Sequence, residues 1–313
     1  MKIIFFGTPS FAAQIFQFLI ERGIHIAATV TQPDRPKGRN LELSFSDVKE
    51  AFFRLAPESI LLQPEKASDP CFLQQLETVQ ADLFVVVAYG QILSQKLLAI
   101  PRLGCINVHA SLLPKYRGAA PIQRCLLNGD SETGVSIQKM VYQLDAGDVI
   151  EEAKIEVPQD MTFGELHQGL CDLSKPLLLS VLLKYRTGIP FAQAQDPTLV
   201  TMAPKIKPEE TEIRWNQDAR NVHNLVRALS PRPGAWCWIE NKGRKRLKIL
   251  RTRVVTHSEL PGLAGSLISF HKDNCLVAAE SDALQLLEVQ PEGKKAMPIN
   301  EWIRGCQAAP RFL

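Results

Sequence analysis

The first half of the chain alternates short apolar runs with segments whose apolar residues recur at helical spacing. The runs Lys2–Phe6 and Ala27–Thr31 predict two strands, and Phe11–Glu21 between them predicts a helix. Leu83–Val87 is apolar throughout, which is typical of a strand whose sheet is covered on both faces, and Ile106–His109 is a further strand. This alternation favours a parallel sheet with crossover helices, and therefore an α/β domain.

Three other segments complete the first half. Ile92–Leu98 predicts a short helix, and Thr162–Arg186 predicts a long helix that Pro176 kinks or splits. Gln32–Ser46 contains two prolines, a glycine and three basic residues, so we expect no regular element there. It is long for a connection, which indicates either a functional loop or a disordered segment.

A change of pattern divides the chain in two. Gly188–Pro208 holds four prolines and few periodic apolar residues, which is typical of a linker. After it, the predicted helix Asp218–Leu229 is followed by short apolar runs at roughly 10-residue spacing, the pattern of a small β-barrel. These predicted strands are Ala235–Ile239, Leu247–Leu250, Gly265–Ile268, Leu276–Ala279 and Leu284–Val289. We therefore predict a first domain at residues 1–187, a linker at 188–207 and a second domain at 208–313.

Composition excludes several classes of protein. The chain has 313 residues, enough for two domains, and its 45% hydrophobic and 22% charged residues exclude disordered and collagen-like chains. No apolar run approaches the roughly 18 residues of a membrane span, and the apolar stretch at the N-terminus is too short for a signal peptide. The seven cysteines form no CxxC pair, which favours reduced thiols and gives no zinc-site spacing. We therefore expect a cytoplasmic protein without a membrane segment or a metal ion.

Positive charge is concentrated in the second half. Residues 1–207 carry a formal net charge of −1, residues 208–313 carry +4, and Lys242–Arg253 contains seven basic residues and no acidic one. In a strand, three of these basic side chains would share one face (the basic stripe): Arg244, Arg246 and Lys248. Such a stripe is either a solvated strand face or a binding surface for a polyanion. The lack of interleaved carboxylates favours the second.

The densest chemical signal is the segment Gly104–Gly118. Asn107 and His109 lie two residues apart near the carboxyl end of a predicted strand, so they share one face. Ligand sites of open α/β sheets lie at that edge, and two polar side chains there are costly unless they are satisfied or used. Farther along the chain, Asp145 lies in a predicted tight turn.

An amide, an imidazole and a carboxylate together suit direct acyl transfer to an amine. The amide can donate to a developing oxyanion, the imidazole can exchange a proton, and the carboxylate can orient the imidazole and stabilise its protonated form. No serine or cysteine lies in a recognised nucleophile elbow, so covalent catalysis is not indicated. Each of the three residues also has a purely structural interpretation, and spacing alone does not decide whether they meet.

Two motifs carry a resemblance to a known family. NVHASLLPKYRGAAPIQ at Asn107–Gln123, followed by GVSIQKMVYQLDAGDV at Gly134–Val149, resembles the folate-dependent formyltransferase superfamily. Flanking motifs extend the resemblance from residue 2 to residue 297 and narrow it to members that act on transfer RNA: FFGTPSFA, TQPDRPKGR, VVVAYGQIL and PEGKKAM.

The resemblance implies a Rossmann-like, mostly parallel sheet domain followed by a smaller, oligonucleotide-binding-like (OB-like) β-barrel. It implies transfer of a formyl group from 10-formyltetrahydrofolate to the α-amine of methionyl initiator tRNA, without a metal. Asn107 and His109 would stabilise the oxyanion and handle the proton, and Asp145 would tune His109. The loop bordering the folate would consist of Ser111, Leu112, Leu113 and Pro114.

For transfer RNA, the resemblance places an acceptor-stem-reading insertion around Thr31–Arg39, with Arg39 as the inserted side chain. Electrostatic attraction to phosphates adds candidates in the linker and the barrel: Lys205, Lys207, Arg244, Arg246 and Lys248. We expect a monomer whose partners are the folate and the initiator tRNA, with no membrane partner.

Other functions stay open from the sequence. The same chemistry could act on a sugar-nucleotide amine or on a purine-precursor amine, although a lone transformylase domain would lack the basic second domain. A hydrolase would pass the formyl group to water and would have little use for a polyanion surface. A nucleotide-dependent redox or binding module would need a GxGxxG fingerprint, which the first strand–helix turn lacks. A non-catalytic RNA-binding protein would keep the basic stripe without needing Asn107, His109 and Asp145 together.

Overall fold

A computed structural model describes residues 1–37, 42–241, 243–256 and 263–313 of the chain. The backbone packs into two compact units. The first comprises Met1–Gly118, Thr133–Ile155 and Gln168–Met202, and the second comprises Ala119–Glu132, Glu156–His167 and Ala203–Leu313. The domain bounds at residues 187 and 207 stay a prediction, because these units are defined by packing and not by function.

The helices and strands are numbered in chain order. The strands up to residue 156 are β1 Ile3–Gly7, β2 Ile26–Val30, β3 Arg35–Lys37, β4 Glu42–Ser44, β5 Ile60–Leu62, β6 Leu83–Val87, β7 Cys105–His109, β8 Glu132–Lys139 and β9 Val149–Glu156. The helices up to residue 187 are α1 Ser10–Glu21, α2 Asp47–Leu55, α3 Pro70–Val79, α4 Gln95–Leu98, α5 Pro121–Asn128 and α6 Phe163–Thr187. Beyond them lie α7 Ala219–Leu229, β10 Ala235–Glu240, β11 Arg244–Val255, β12 Leu267–His271, β13 Asn274–Ala278, β14 Ala283–Pro291, β15 Met297–Pro298, α8 Ile299–Arg304 and β16 Arg311–Phe312.

The first unit is built on a seven-stranded sheet in the order β5-β2-β1-β6-β7-β8-β9. The first five strands of this order, β5, β2, β1, β6 and β7, pair in parallel with their neighbours. Strand β8 runs antiparallel to β7. Every residue of β1 and β6 is buried, as expected of central strands covered on both faces. The predicted α/β sheet is confirmed, and β6 has the bounds that its apolar run predicted.

Three local predictions need correction or refinement. The predicted helix at Ile92–Leu98 is too long, because the Ser94 side chain accepts a hydrogen bond from the amide of Leu97 and α4 begins after it. The prediction of no regular element in Gln32–Ser46 is wrong for β3 and β4, which pair with each other in a short antiparallel sheet. Pro36 fits there because a two-stranded sheet leaves one edge of each strand without ladder bonds. Helix α6 is not split at Pro176.

The second unit contains an antiparallel, barrel-like sheet in the order β12-β13-β14-β11-β10-β16, with β15 paired to β14. Apolar side chains at alternate strand positions fill its core, and Trp215 and Trp302 pack there with them. The predicted barrel after a single helix is confirmed. No helix in the described part of the chain is both long and apolar enough to cross a membrane.

Helix α7 carries three buried polar side chains into this unit: His223, Asn224 and Arg227. The guanidinium of Arg227 donates to the side-chain oxygen of Asn224 at 2.8 Å and to the carbonyl of Leu126 at 3.3 Å. His223 is 3% exposed, and its ring bonds the Thr252 hydroxyl at 2.9 Å and the Gln159 carbonyl at 3.0 Å. Burial lowers the pKa of His223, although the Gln159 carbonyl and nearby Asp160 oppose that shift.

We expect His223 to make the fold sensitive to acid. Its pKa is lower in the folded protein than the 6.5 of a free imidazole, so the unfolded chain binds a proton first as the pH falls. The stability that the neutral ring contributes is therefore complete above about pH 6.5 and is lost as the pH falls toward the folded pKa. Urea unfolding at about pH 7.5 and about pH 5.5 should show a smaller acid-side loss of unfolding free energy in His223→Gln than in the wild type. His25→Gln, at an exposed position, should match the wild type; equal acid-side losses in all three proteins would contradict the prediction.

Candidate active site

Strand β7 presents two polar side chains on one face. Asn107 pairs across the sheet with Gln138 of β8, and His109 pairs with Ser136. Because successive strand residues point to opposite faces, Asn107 and His109 lie side by side with the apolar Val108 between them facing away. The predicted placement of the two residues on one strand face is thus observed.

His109 is held between two hydrogen-bond acceptors. Its Nε2 lies 2.9 Å from the carbonyl of Tyr116, and its Nδ1 lies 3.8 Å from Oδ2 of Asp145. A carbonyl can only accept, so we infer that Nε2 carries a hydrogen. In the neutral ring, Nδ1 is then the nitrogen left to exchange a proton. The structure therefore brings together the imidazole and the carboxylate that sequence spacing alone could not join.

Asp145 is fixed by contacts on both carboxylate oxygens. Oδ2 accepts from the amide of Gly118 at 2.9 Å, and Oδ1 accepts from Nε2 of Gln138 at 3.0 Å. Its backbone is left-handed, with φ of 46°, a conformation that aspartate tolerates better than most residues. Gly147 closes the same turn, because a Cβ there would lie 1.7 Å from the Lys139 carbonyl oxygen.

Asn107 differs from His109 and Asp145 because its side chain has no hydrogen-bond partner among the described residues. It is half-buried, and its carboxamide makes no hydrogen bond to any part of the chain that the structure describes. An amide donor that no protein group uses can serve a bound substrate oxygen. Together, the three side chains offer a donor, a proton-exchanging ring and a carboxylate that orients the ring.

The predicted folate-bordering loop follows β7 directly. Ser111 is buried and donates to the carbonyl of Lys115 at 2.6 Å, and Leu112 packs against Gly134. Leu113 and Pro114 line a cavity of about 420 Å³, whose other lining residues include Val149, Phe191 and Gln195. Two residues of the loop, Ser111 and Leu112, therefore make contacts within the protein, and the other two line the wall of the cavity.

The predicted transfer-RNA residues are dispersed. Arg39 lies outside the described residues. Lys205 and Lys207 are exposed in the second unit. The basic stripe lies on β11, where Arg244 and Arg246 are exposed and Lys248 donates to the Pro233 carbonyl at 2.6 Å.

Two tryptophans beside the basic stripe were not singled out from the sequence. Trp236 and Trp238 of β10 pair with Lys248 and Arg246 across the β10–β11 ladder. The Arg246 guanidinium lies 4.2 Å from the centroid of the Trp236 ring, and that of Arg244 lies 4.5 Å from the Trp238 ring. Cation–π contacts of this kind hold the guanidinium groups in place. The signal was present in the sequence, since two tryptophans two residues apart precede basic residues at the same spacing.

Other contacts to the site come from residues that lie inside the two motifs but were not predicted as site residues. Gln138 bonds Asp145, and the backbone of Tyr116 and Gly118 bonds His109 and Asp145. Backbone partners leave no sequence signal. The described residues contain no group of three or more His, Cys, Asp or Glu side chains placed to hold a metal ion.

Known proteins match both parts of the chain. Residues 1–182 match the family model for formyl transferase, and residues 205–307 match the model for the formyl transferase C-terminal domain. The chain is 48% identical over 310 residues to methionyl-tRNA formyltransferase of Protochlamydia amoebophila, with 97% of this chain and 95% of that protein covered. It is 41% identical to methionyl-tRNA formyltransferase of Moorella thermoacetica, with coverage of 99% and 98%.

A solved structure gives the same fold at low identity. The N-formyltransferase of Helicobacter canadensis, in complex with folinic acid and dTDP-3-aminofucose, matches with a TM-score of 0.66 at 14% identity. The match covers 93% of this chain and 99% of that one, and at this identity it shows the fold alone. Fold and family models together define an enzyme of the formyl transferase class. Within that class, the chain belongs to the methionyl-tRNA formyltransferase family.

Proposed function

We propose that the protein transfers the formyl group of 10-formyltetrahydrofolate to the α-amino group of methionyl initiator tRNA by direct attack of the amine. The observation that carries this proposal is the pairing of His109 with Asp145 at 3.8 Å beside the unused carboxamide of Asn107. The names of the relatives support the acceptor, and the folate compound bound by the Helicobacter enzyme supports the donor.

Asn107 and His109 stabilise the negative charge that develops on the formyl oxygen as the amine attacks. A single oxyanion-hole donor of this kind is worth about 3–4 kcal/mol in the transition state. The amine nitrogen forms a bond to the formyl carbon, and collapse of the tetrahedral intermediate breaks the bond from that carbon to the folate nitrogen. His109 takes a proton from the attacking amine and returns it to the departing folate nitrogen. Its Nδ1 faces Asp145, so the carboxylate orients the ring and stabilises the imidazolium in between. The scheme uses no metal and no covalent enzyme intermediate.

The proposed donor site is the cavity beside Leu113 and Pro114, whose lining also includes three carboxylates, Glu151, Glu152 and Asp196. The cavity beside Leu113 and Pro114 falls in the 300–1,000 Å³ range typical of small-molecule sites, at about 420 Å³. Apolar walls at Leu113, Pro114 and Phe191 suit the aromatic parts of a folate. Ser111 and Leu112 hold the loop through their own packing. We assign the loop Ser111–Pro114 to the donor site on this basis.

Transfer RNA is the second substrate of the proposal. Residues 1–187 would form the catalytic domain, 188–207 the linker and 208–313 the tRNA-binding domain, in a cytoplasmic monomer. The exposed Lys205 and Lys207 and the basic stripe are the proposed phosphate contacts, and Trp236 and Trp238 hold the stripe's guanidinium groups in place. Arg39 is proposed from the sequence resemblance alone.

The phosphate contacts predict a salt-dependent affinity. Changing Arg244, Arg246 and Lys248 together to Ala should weaken tRNA binding and reduce the slope of log Kd against log salt by about 1 for each phosphate that the protein no longer neutralises. Arg304→Ala, an exposed arginine away from the stripe, is the matched control. A filter-binding series between about 50 and about 200 mM salt measures both quantities. A wild-type affinity that hardly changes over this range would contradict the phosphate-contact proposal.

The proposed reaction is tested by following a labelled formyl group. Wild-type protein with labelled 10-formyltetrahydrofolate is offered methionyl initiator tRNA, a sugar-nucleotide amine, a purine-precursor amine, or no acceptor. We expect label on the aminoacyl-tRNA and on neither small amine. Label in free formate would indicate a hydrolase, and label on a small amine would indicate a different acceptor. A protein that binds tRNA and moves no label would be a non-catalytic RNA binder.

A further inference from the structure

The segment Gln193–Met202 contacts both loops that form the site. Gln193 exchanges two backbone hydrogen bonds of 2.8 Å with Val149, directly after the turn that carries Asp145. Thr201 accepts hydrogen bonds from two backbone amides of the loop after β7. Its carbonyl accepts from the amide of Arg117 at 2.9 Å, and its hydroxyl accepts from the amide of Tyr116 at 2.8 Å. All these residues belong to the first unit. From the sequence, this segment is predicted only as part of the linker Gly188–Pro208.

Gln195 makes the closest connection between the two loops. Its Nε2 donates to the carbonyls of Asp145 at 2.9 Å and Gly147 at 2.7 Å. Its Oε1 accepts from Nε and Nη2 of Arg117 at 3.0 and 2.8 Å. Both hydrogens and both lone pairs of the amide are thus used, and the Arg117 contact is bidentate.

These bonds complete a ring around the catalytic carboxylate. Gly118, the residue after Arg117, donates to the carboxylate of Asp145, and the Asp145 carbonyl accepts from Gln195, which in turn binds Arg117. Asp145 is left-handed, and such a conformation persists only when its surroundings fix it. The neighbouring Tyr116 carbonyl holds the other side of His109. The distance between His109 and Asp145 therefore depends on this ring.

We propose that Gln195 is a positioning residue for formyl transfer, which holds the turn of Asp145 against the loop of Arg117 and so sets the carboxylate against His109. Only a side-chain amide of this length can accept from the guanidinium and donate to two carbonyls at once. A glutamate would keep the bond to Arg117 and lose both donated bonds. The proposal rests on the proposed function in taking formyl transfer as the reaction that the ring serves.

Kinetics of matched variants test this role. Gln195→Ala and Gln195→Glu should lower kcat by about 10- to 100-fold, because small displacements of catalytic groups cost rate steeply. KM for methionyl-tRNA should stay within about twofold, since the Gln195 amide is engaged by Arg117, Asp145 and Gly147 and is not proposed to contact the tRNA. Gln74→Ala is the control: it is an exposed glutamine of α3, outside the loops of the site and the proposed donor cavity. A Gln195→Glu enzyme with wild-type kcat would overturn the proposal.

Hydrogen exchange without any substrate gives an independent measurement. Backbone amides in residues 141–148 should exchange faster in Gln195→Ala than in the wild type and in Gln74→Ala. Unchanged exchange there would overturn the positioning role even if transfer to tRNA is observed. If the wild type transfers no formyl group to methionyl-tRNA, the proposed function fails, and the exchange result still decides whether Gln195 holds the turn.

Discussion

Replacing Asn107 by Ala is expected to lower kcat about 100- to 1000-fold with little change in thermal unfolding. The loss follows from removing an oxyanion donor that acts only in the transition state. Stability should be kept because the half-buried carboxamide makes no hydrogen bond to the described residues, so no protein group is left unpaired. Steady-state formylation of methionyl-tRNA and a thermal melt measure the two effects.

Two further variants sharpen the Asn107 experiment. Asn107→Asp keeps the shape of the side chain but replaces the donor with a second negative charge, so its kcat should be at least as low as that of Asn107→Ala. Asn216→Ala, at an exposed asparagine of the second unit, is the matched control. An Asn107→Ala enzyme with near-wild-type turnover would remove Asn107 from the mechanism.

The other large effect is expected from His109 and Asp145, measured as a double-mutant cycle. Each single change to Ala should lower kcat by about 100-fold or more. Adding Asp145→Ala to His109→Ala should lower kcat by less than about threefold further. The reason is that Asp145 faces Nδ1 of His109 at 3.8 Å and acts through that ring. Single-turnover rates of the four proteins give the coupling.

The control for this cycle is Asp148→Ala. Asp148 is an exposed carboxylate three residues away in the same turn, and its change should leave kcat within about twofold. Losses that multiply in the double variant would mean that Asp145 serves catalysis without His109. That result would require a different role for the carboxylate.

Much of the sheet could be predicted because its central strands are short, apolar runs. β6 matches its apolar run at both ends, since a central parallel strand contains no outward polar positions to blur the signal. β11 is longer than the predicted Leu247–Leu250 at both ends, because its outward half is basic and only its inward residues form an apolar pattern. The pair β3–β4 was missed since each strand has three residues and no periodicity to detect.

The candidate site was predictable only in part. Two-residue spacing was enough to place Asn107 and His109 on one face of β7. The proximity of Asp145 depends on how the turn after β8 folds back, which is a long-range property that spacing does not contain. Gln195 bonds Asp145 from 50 residues away and Arg117 from 78 residues away, through a stretch whose prolines suggested only a linker.

The proposed mechanism requires Asn107, His109 and Asp145 to lie around the formyl carbon, which passes from the folate nitrogen to the amine. A crystal structure of the protein with a non-transferable 10-formyl folate analogue measures this directly. We predict the formyl oxygen about 2.7–3.1 Å from the side-chain nitrogen of Asn107 and the formyl carbon beside the His109–Asp145 pair. An analogue bound with its formyl group outside hydrogen-bonding reach of both Asn107 and His109 would contradict the mechanism.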